Sequence, residues 1–193
     1  MSTIFRTTLT PGKLDLVAAW IVNRPWYVRQ DAAPELARAG GFRLDDPAGE
    51  VGIEFMHVVD TAGADPVVYH VPVTYRGAPP TGDDGSPTDG ALIGRAEHGV
   101  LGTRWVYDGE HDPVLLSALA AFCNGAVQAQ AQSETDTLDP SVRVEGVSGT
   151  VSVADLRIVH RLAAGPVPDG GGVSGTWTTP DGERLRGPLV VLR

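Results

Sequence analysis

Two runs of β-branched and aromatic residues constrain this chain more than anything else in it: Glu50 to Asp60 (EVGIEFMHVVD) and Pro66 to Arg76 (PVVYHVPVTYR). Both read as strands. The stretch that joins them, Thr61 to Pro66, contains Gly63, Asp65 and Pro66, so the pair is expected to form a hairpin. Symmetric pairing sets His57 opposite His70 and Phe55 opposite Pro72. Proline has no N–H to give a ladder, so the second strand is expected to have an edge or a bulge at Pro72.

The rest of the chain supplies further strands and two main helices. Thr10 before Pro11 reads as an N-cap with proline at the first helical position. Leu14, Val17, Ala18 and Ile21 follow at helical spacing, and Pro25 ends that helix near Asn23. A short second helix is expected over Pro34 to Ala39, closed by Gly40 and Gly41. Ala78 to Gly90 (APPTGDDGSPTDG) offers no large apolar side chain to bury and reads as an exposed loop. Strands resume over Ala91 to Gly94 and His98 to Asp108, with Trp105 and Tyr107 on one face. Asp112-Pro113 is the strongest helix start, and Leu115, Leu119, Phe122 and Ala126 line one side of that helix. The last segment reads as β over Val142 to Glu145, Thr150 to Leu162, Val173 to Thr179 and Leu185 to Leu192. Strand runs with segregated helices indicate an α+β fold. The acidic connector Ser133 to Pro140 divides a unit at 1–132 from a β-hairpin-rich extension at 133–193, expected to pack as one body with it.

At 193 residues the chain is long enough for a real core, and its formal net charge of −9 argues against nucleic-acid or anionic-membrane partners. No run approaches the ~20 apolar residues that span a bilayer, and Met1 to Lys13 lacks the pattern of a signal peptide. The reading is a soluble, acidic, cytoplasmic domain. Cys123 is the lone cysteine, so neither an internal disulfide nor a cysteine-cluster zinc site is available.

Motifs for chemistry fail on their parts. The five histidines form no HExxH pair, and Glu54-x-x-His57 falls on a strand, where the two residues face opposite ways. His57 and His70 are cross-strand neighbours whose ordinary role is a hydrogen-bonded place in a sheet. Cys123 lies on the apolar side of a helix and reads as a buried thiol. Gly170, Gly172 and Gly175 spell GxGxxG, but a Pro/Gly loop precedes them and a strand follows, so the dinucleotide reading fails. A kinase-type phosphate loop needs a lysine on the next strand; Leu185 to Arg193 has none, and Lys13 is the only lysine in the chain. Catalytic, cofactor and metal residues are therefore expected to be absent.

Three separated stretches carry a resemblance: Arg24-Pro-Trp-Tyr27, Tyr69-His-Val-Pro-Val-Thr-Tyr-Arg76 and Val106-Tyr-Asp-Gly-Glu-His-Asp-Pro113. Together, over Thr10 to Gln132, they resemble the N-terminal cap of actinobacterial maltokinases and glucosamine kinases. The resemblance implies a curved, cystatin-like antiparallel sheet with helices. In the kinases that cap stands ahead of a body that phosphorylates a sugar with ATP and magnesium. Val142 to Arg193 resembles the opening strands of such a body, and the family's catalytic lysine, catalytic loop and metal aspartate have no counterparts here. The resemblance thus implies a free-standing, non-catalytic cap whose partner is a sugar kinase or glucan-metabolising enzyme, or a second copy of itself.

Tyr75, Arg76, Arg104, Trp105, Tyr107 and Asp108 are the candidate interaction residues. A second reading is a small-molecule or carbohydrate binder in which Trp105, Trp177 and Tyr75 stack on sugar rings from a concave sheet face. Asp112 is expected to cap the helix at Pro113. Asp108 is expected to hold a local hydrogen bond or a partner rather than a second cap, and to face Arg104 as an ion pair if the strand is unbroken.

Overall fold

The computed structural model describes residues 9–81, 91–134 and 136–193. In chain order its elements are β1 (Leu9–Thr10), α1 (Lys13–Ile21), β2 (Leu36–Leu44), β3 (Gly52–Asp60), β4 (Val67–Arg76), β5 (Leu92–His98), β6 (Gly102–Asp108) and α2 (Pro113–Cys123). Then follow β7 (Gln130–Ala131), β8 (Arg143–Glu145), β9 (Leu156–Ile158), β10 (Gly172–Thr178) and β11 (Arg184–Leu192). A curved main sheet runs in the order β1-β5-β6-β4-β3-β2-β7, and a second sheet in the order β8-β10-β11-β9. Every pairing between these strands is antiparallel. The fold is α+β, as the strand and helix runs require. The Ala78–Gly90 loop lies outside the described residues from position 82 onward.

The central hairpin has the expected register, with His57 opposite His70 and Phe55 opposite Pro72. Pro72 is nevertheless neither at an edge nor in a bulge. Its strand changes partner there: Val73 to Arg76 pair with β6, while Val68 and His70 bond to Leu162 and His160 from the chain beyond β9. The missing N–H falls in the gap between two ladders, where nothing asks for it.

Local signals misled in several places. Thr10 pairs with Glu97 as a strand residue, so the first helix takes its cap at Gly12, whose N–H donates to the Asp15 carboxylate at 3.2 Å. Residues 34–39 form no helix; Leu36 begins β2, and the ladder to β3 overrides alanine's preference. Gly40 and Gly41 close nothing but carry β2 through a bulge at φ 145° and 139°. A Cβ on Gly41 would collide with the Phe55 carbonyl. Ala126 lies past the end of α2 and is exposed, because Asn124 ends the helix: its side chain bonds the carbonyls of Ala120 and Val151. Thr150 to Leu162 is not one strand but a 3₁₀ turn (Val153–Asp155), the short β9, and the residues that meet β4.

Alternation along β3 and β4 sends side chains to two cores. Met56, Val58, Val71 and Val73 pack under Val17, Trp20 and Ile21 of α1. Phe42 and Phe55, stacked at 4.4 Å, face Leu115 and Leu119 of α2 together with Val173, Leu189 and Val190 of the second sheet. Cys123 belongs to this second core, where burial pushes its thiol up to about 11. The native thiol is therefore expected to resist a disulfide reagent at neutral pH and to react only as the chain unfolds. Rapid stoichiometric labelling of folded protein would contradict that placement.

Candidate functional site

The six candidate residues lie on two adjacent strands, in register: Tyr75 opposite Val106 and Arg76 opposite Trp105. Register also divides them. Tyr75, Arg104 and Asp108 project with Val73 and Val106 toward α1, whereas Arg76, Trp105 and Tyr107 share the α2 side with Thr74.

Arg76 is committed to the fold. Its Nε and Nη2 donate to both carboxylate oxygens of Asp112 at 2.9 and 2.7 Å. Thr74 Oγ1 donates to the same carboxylate at 2.7 Å, and so does the Val114 N–H at 3.0 Å, which makes Asp112 the cap of α2 as expected. Burial alone would raise the Asp112 carboxyl, but Arg76, Thr74 and the Val114 amide outweigh it and hold it below the ordinary range.

On the other face Tyr75 donates to the buried Glu54 at 2.6 Å. Lys13 Nζ, also 2.6 Å from Glu54, sits 5.0 Å from the centre of the Tyr75 ring. Gln132 completes the set, donating to Glu54 through Nε2 while its Oε1 accepts from Arg38. Burial would raise Glu54, yet Lys13, Tyr75 and Gln132 together bring it below its usual value. Sequence pattern raised Glu54 only in a spacing with His57 that fails on a strand, and it missed these partners, which come from α1, β4 and the chain after β7.

Asp108 takes the second capping role that sequence reasoning set aside. It accepts from the Glu110 N–H at 3.2 Å and so caps a 3₁₀ turn, Gly109–His111. Its other oxygen lies 3.2 Å from His111 Nδ1, and burial raises its carboxyl. The Arg104 ion pair does not form. Four strand residues separate the two by about 13 Å, beyond side-chain reach, and the Arg104 guanidinium lies beside Gly77 instead. Next to Asp108, Glu110 bonds His160 at 2.9 Å, and the His160 ring stacks on Trp26 at 4.3 Å.

The aromatic residues do not form one stacking surface. Tyr75 and Trp105 occupy opposite faces, and Trp177 is buried with Ala39, Val59 and Val68 between the sheets. A cleft of about 440 Å³ opens instead where the sheets meet, lined by polar groups including Arg38, Gln132, Ser133, Glu134 and Asp139. Among the described residues no group of three or more His, Cys, Asp or Glu side chains is placed to hold a metal ion. Among them, too, no helix is long and apolar enough to cross a membrane. Two carboxylate–imidazole pairs lie at this corner, Asp108–His111 at 3.2 Å and Glu110–His160 at 2.9 Å.

Two stability predictions follow from the buried carboxylates. Asp112→Ala leaves Arg76 half-buried and unpaired and removes the cap, so urea unfolding is expected to show a loss of about 3–5 kcal/mol. A loss below about 1 kcal/mol would reduce Asp112 to a solvated cap. Lys13→Met is expected to cost about 1–2 kcal/mol at neutral pH, a figure kept small because the ammonium is partly exposed. Because Glu54 is depressed in the folded protein, the stability it contributes is present above its ordinary range and lost as acid protonates it. The Lys13→Met deficit should therefore shrink toward pH ~4, and Lys13→Arg should restore most of it.

The three motif segments, far apart in sequence, are one assembly in space. Val28 N–H and Tyr69 OH meet at 3.0 Å, Trp26 and Tyr27 pack on Tyr69, and Arg76 grips Asp112. β4 is the hub of all three. No curated protein matches the chain. Its residues 20–112 match the family described as the maltokinase N-terminal cap domain, from Trp20 in α1 to the Asp112 cap. Over that stretch the chain is similar to maltokinase cap domains, as its three motif segments imply.

Proposed function

We propose that this chain is a non-catalytic accessory protein of sugar or glucan metabolism that acts by binding a partner enzyme, a sugar kinase or glucan-metabolising enzyme. The observation that carries this reading is the use to which the cap-type segments are put. Arg76, Tyr69, Trp26 and Asp112 build a scaffold around β4 and face no reactive centre among the described residues. Cys123, the one thiol, is buried and protonated. Trp105 stays half-exposed on β6 with Arg95 lying over its ring at 5.7 Å, and this face of the strip is the contact surface offered to the partner.

Sedimentation velocity of the purified chain with a maltose-phosphorylating kinase, paired with ADP release from ATP in the presence of maltose or glucosamine, tests the reading. The expected result is a complex with Kd of about 10 µM or tighter, equivalent to about −7 kcal/mol, and no turnover by the chain alone. Turnover that tracks the protein through purification would make it an enzyme. Saturable maltose binding without any kinase complex would favour the carbohydrate reading, and self-association alone would favour a homodimer.

A further inference from the structure

Histidines stitch the seam between the two sheets. His57 on β3 is 1% exposed, and its Nδ1 lies 3.2 Å from the Thr176 carbonyl on β10. Donation from Nδ1 fixes the neutral tautomer and leaves Nε2 as an acceptor that no described group meets. His70 stands directly across on β4 at 0% exposure, the two rings edge to face at 5.2 Å. Neither His70 ring nitrogen has a hydrogen-bond partner; the carbonyls of Leu189 and Val159 come near without bonding geometry. His160, beyond β9, lies with Nδ1 3.2 Å from the His70 carbonyl, and its own carbonyl accepts the His70 N–H at 2.8 Å.

The charged surroundings do little to welcome a proton. Asp139 is the carboxylate that acts on His57. His70 faces His57 and His160, whose charges would oppose its own, and Glu110 is engaged by His160 at the far side. The remaining neighbours of the pair include the Phe42 and Phe55 rings. The cleft between the sheets comes close to His57: Gly40 and Asp139 line it, and a Cβ on Gly40 would sit 3.4 Å from His57 Nδ1.

We propose that this seam is an acid-sensitive joint, at which proton uptake by His57 and His70 releases the second sheet from the main sheet while α1 and the β5–β6 hairpin stay folded. An imidazolium at either position would bury a charge away from water, and at His57 it would add an Nε2–H that no described group meets. Burial pushes His57 down to about 4 and His70 well below the ordinary histidine range. The closed seam therefore binds fewer protons than the open one. Its stability is full above about pH 6.5 and is lost as pH falls toward about 4. The α1-side core persists because it draws on Val17, Ile21, Met56 and Val71 and takes nothing from the second sheet.

Hydrogen exchange of the full chain, read by peptide mass spectrometry and corrected for intrinsic rates, tests this across pH ~7 to ~4. Protection over residues 156–162 and 172–178 is expected to fall about tenfold or more before protection over 13–21 and 102–108 changes. His70→Phe, which fills the site with an apolar ring, and His57→Gln, which keeps a donor for Thr176, are each expected to move the opening midpoint about half a pH unit or more lower. Simultaneous loss of protection in all four segments would overturn the proposal, as would opening only below pH ~4, where carboxylates titrate. Unchanged midpoints in both variants would overturn it too. If one variant does not fold at neutral pH, the wild-type profile and the other variant decide.

Discussion

The carboxylate of Asp112 ties the end of β4 to the start of α2. It accepts from Thr74 and from two nitrogens of Arg76 on the strand, and from the Val114 amide in the first turn of the helix. With that link in place α2 lies against the main sheet, Leu115 and Leu119 reach Phe42 and Phe55, and the second sheet closes over the same core. Buried ion pairs of this kind set geometry more than they add net stability, because both charges have left water. Here the geometry is what matters, since β4 is also where the α1 side is organised, through Tyr69, Trp26 and Tyr27.

What was legible in the sequence was local or periodic. The β3–β4 register followed from two apolar runs and the short loop between them, and the Asp112 cap from an aspartate before a proline. Errors came where distant pairing outvoted local preference: an alanine-rich stretch became β2 because β3 and β7 flank it, and Thr10 became a strand residue because β5 was in reach. The candidate site was half visible. Strand adjacency put its residues together, and Asp108 bonds locally to Glu110 and His111, but Arg76 and Tyr75 bond to partners from other segments, which no spacing rule encodes. The partners of Glu54 and of His160 escaped notice for the same reason.

The cap-type segments therefore describe a scaffold more than a reaction. Arg24 to Tyr27, Tyr69 to Arg76 and Val106 to Pro113 hold one another around a strand. Accessible polar groups lie at the turn after β6, where His111 is exposed and Glu110 partly so, and in the cleft between the sheets.

A double-mutant cycle on Arg76→Met and Asp112→Asn, read by equilibrium urea unfolding, asks most directly whether these segments serve the fold as a unit. The account predicts a coupling energy of about 2–3 kcal/mol, at the upper end for residues in direct contact. A coupling below about 0.5 kcal/mol, the level of independent sites, would contradict it and return Arg76 to the surface as a residue kept for a partner.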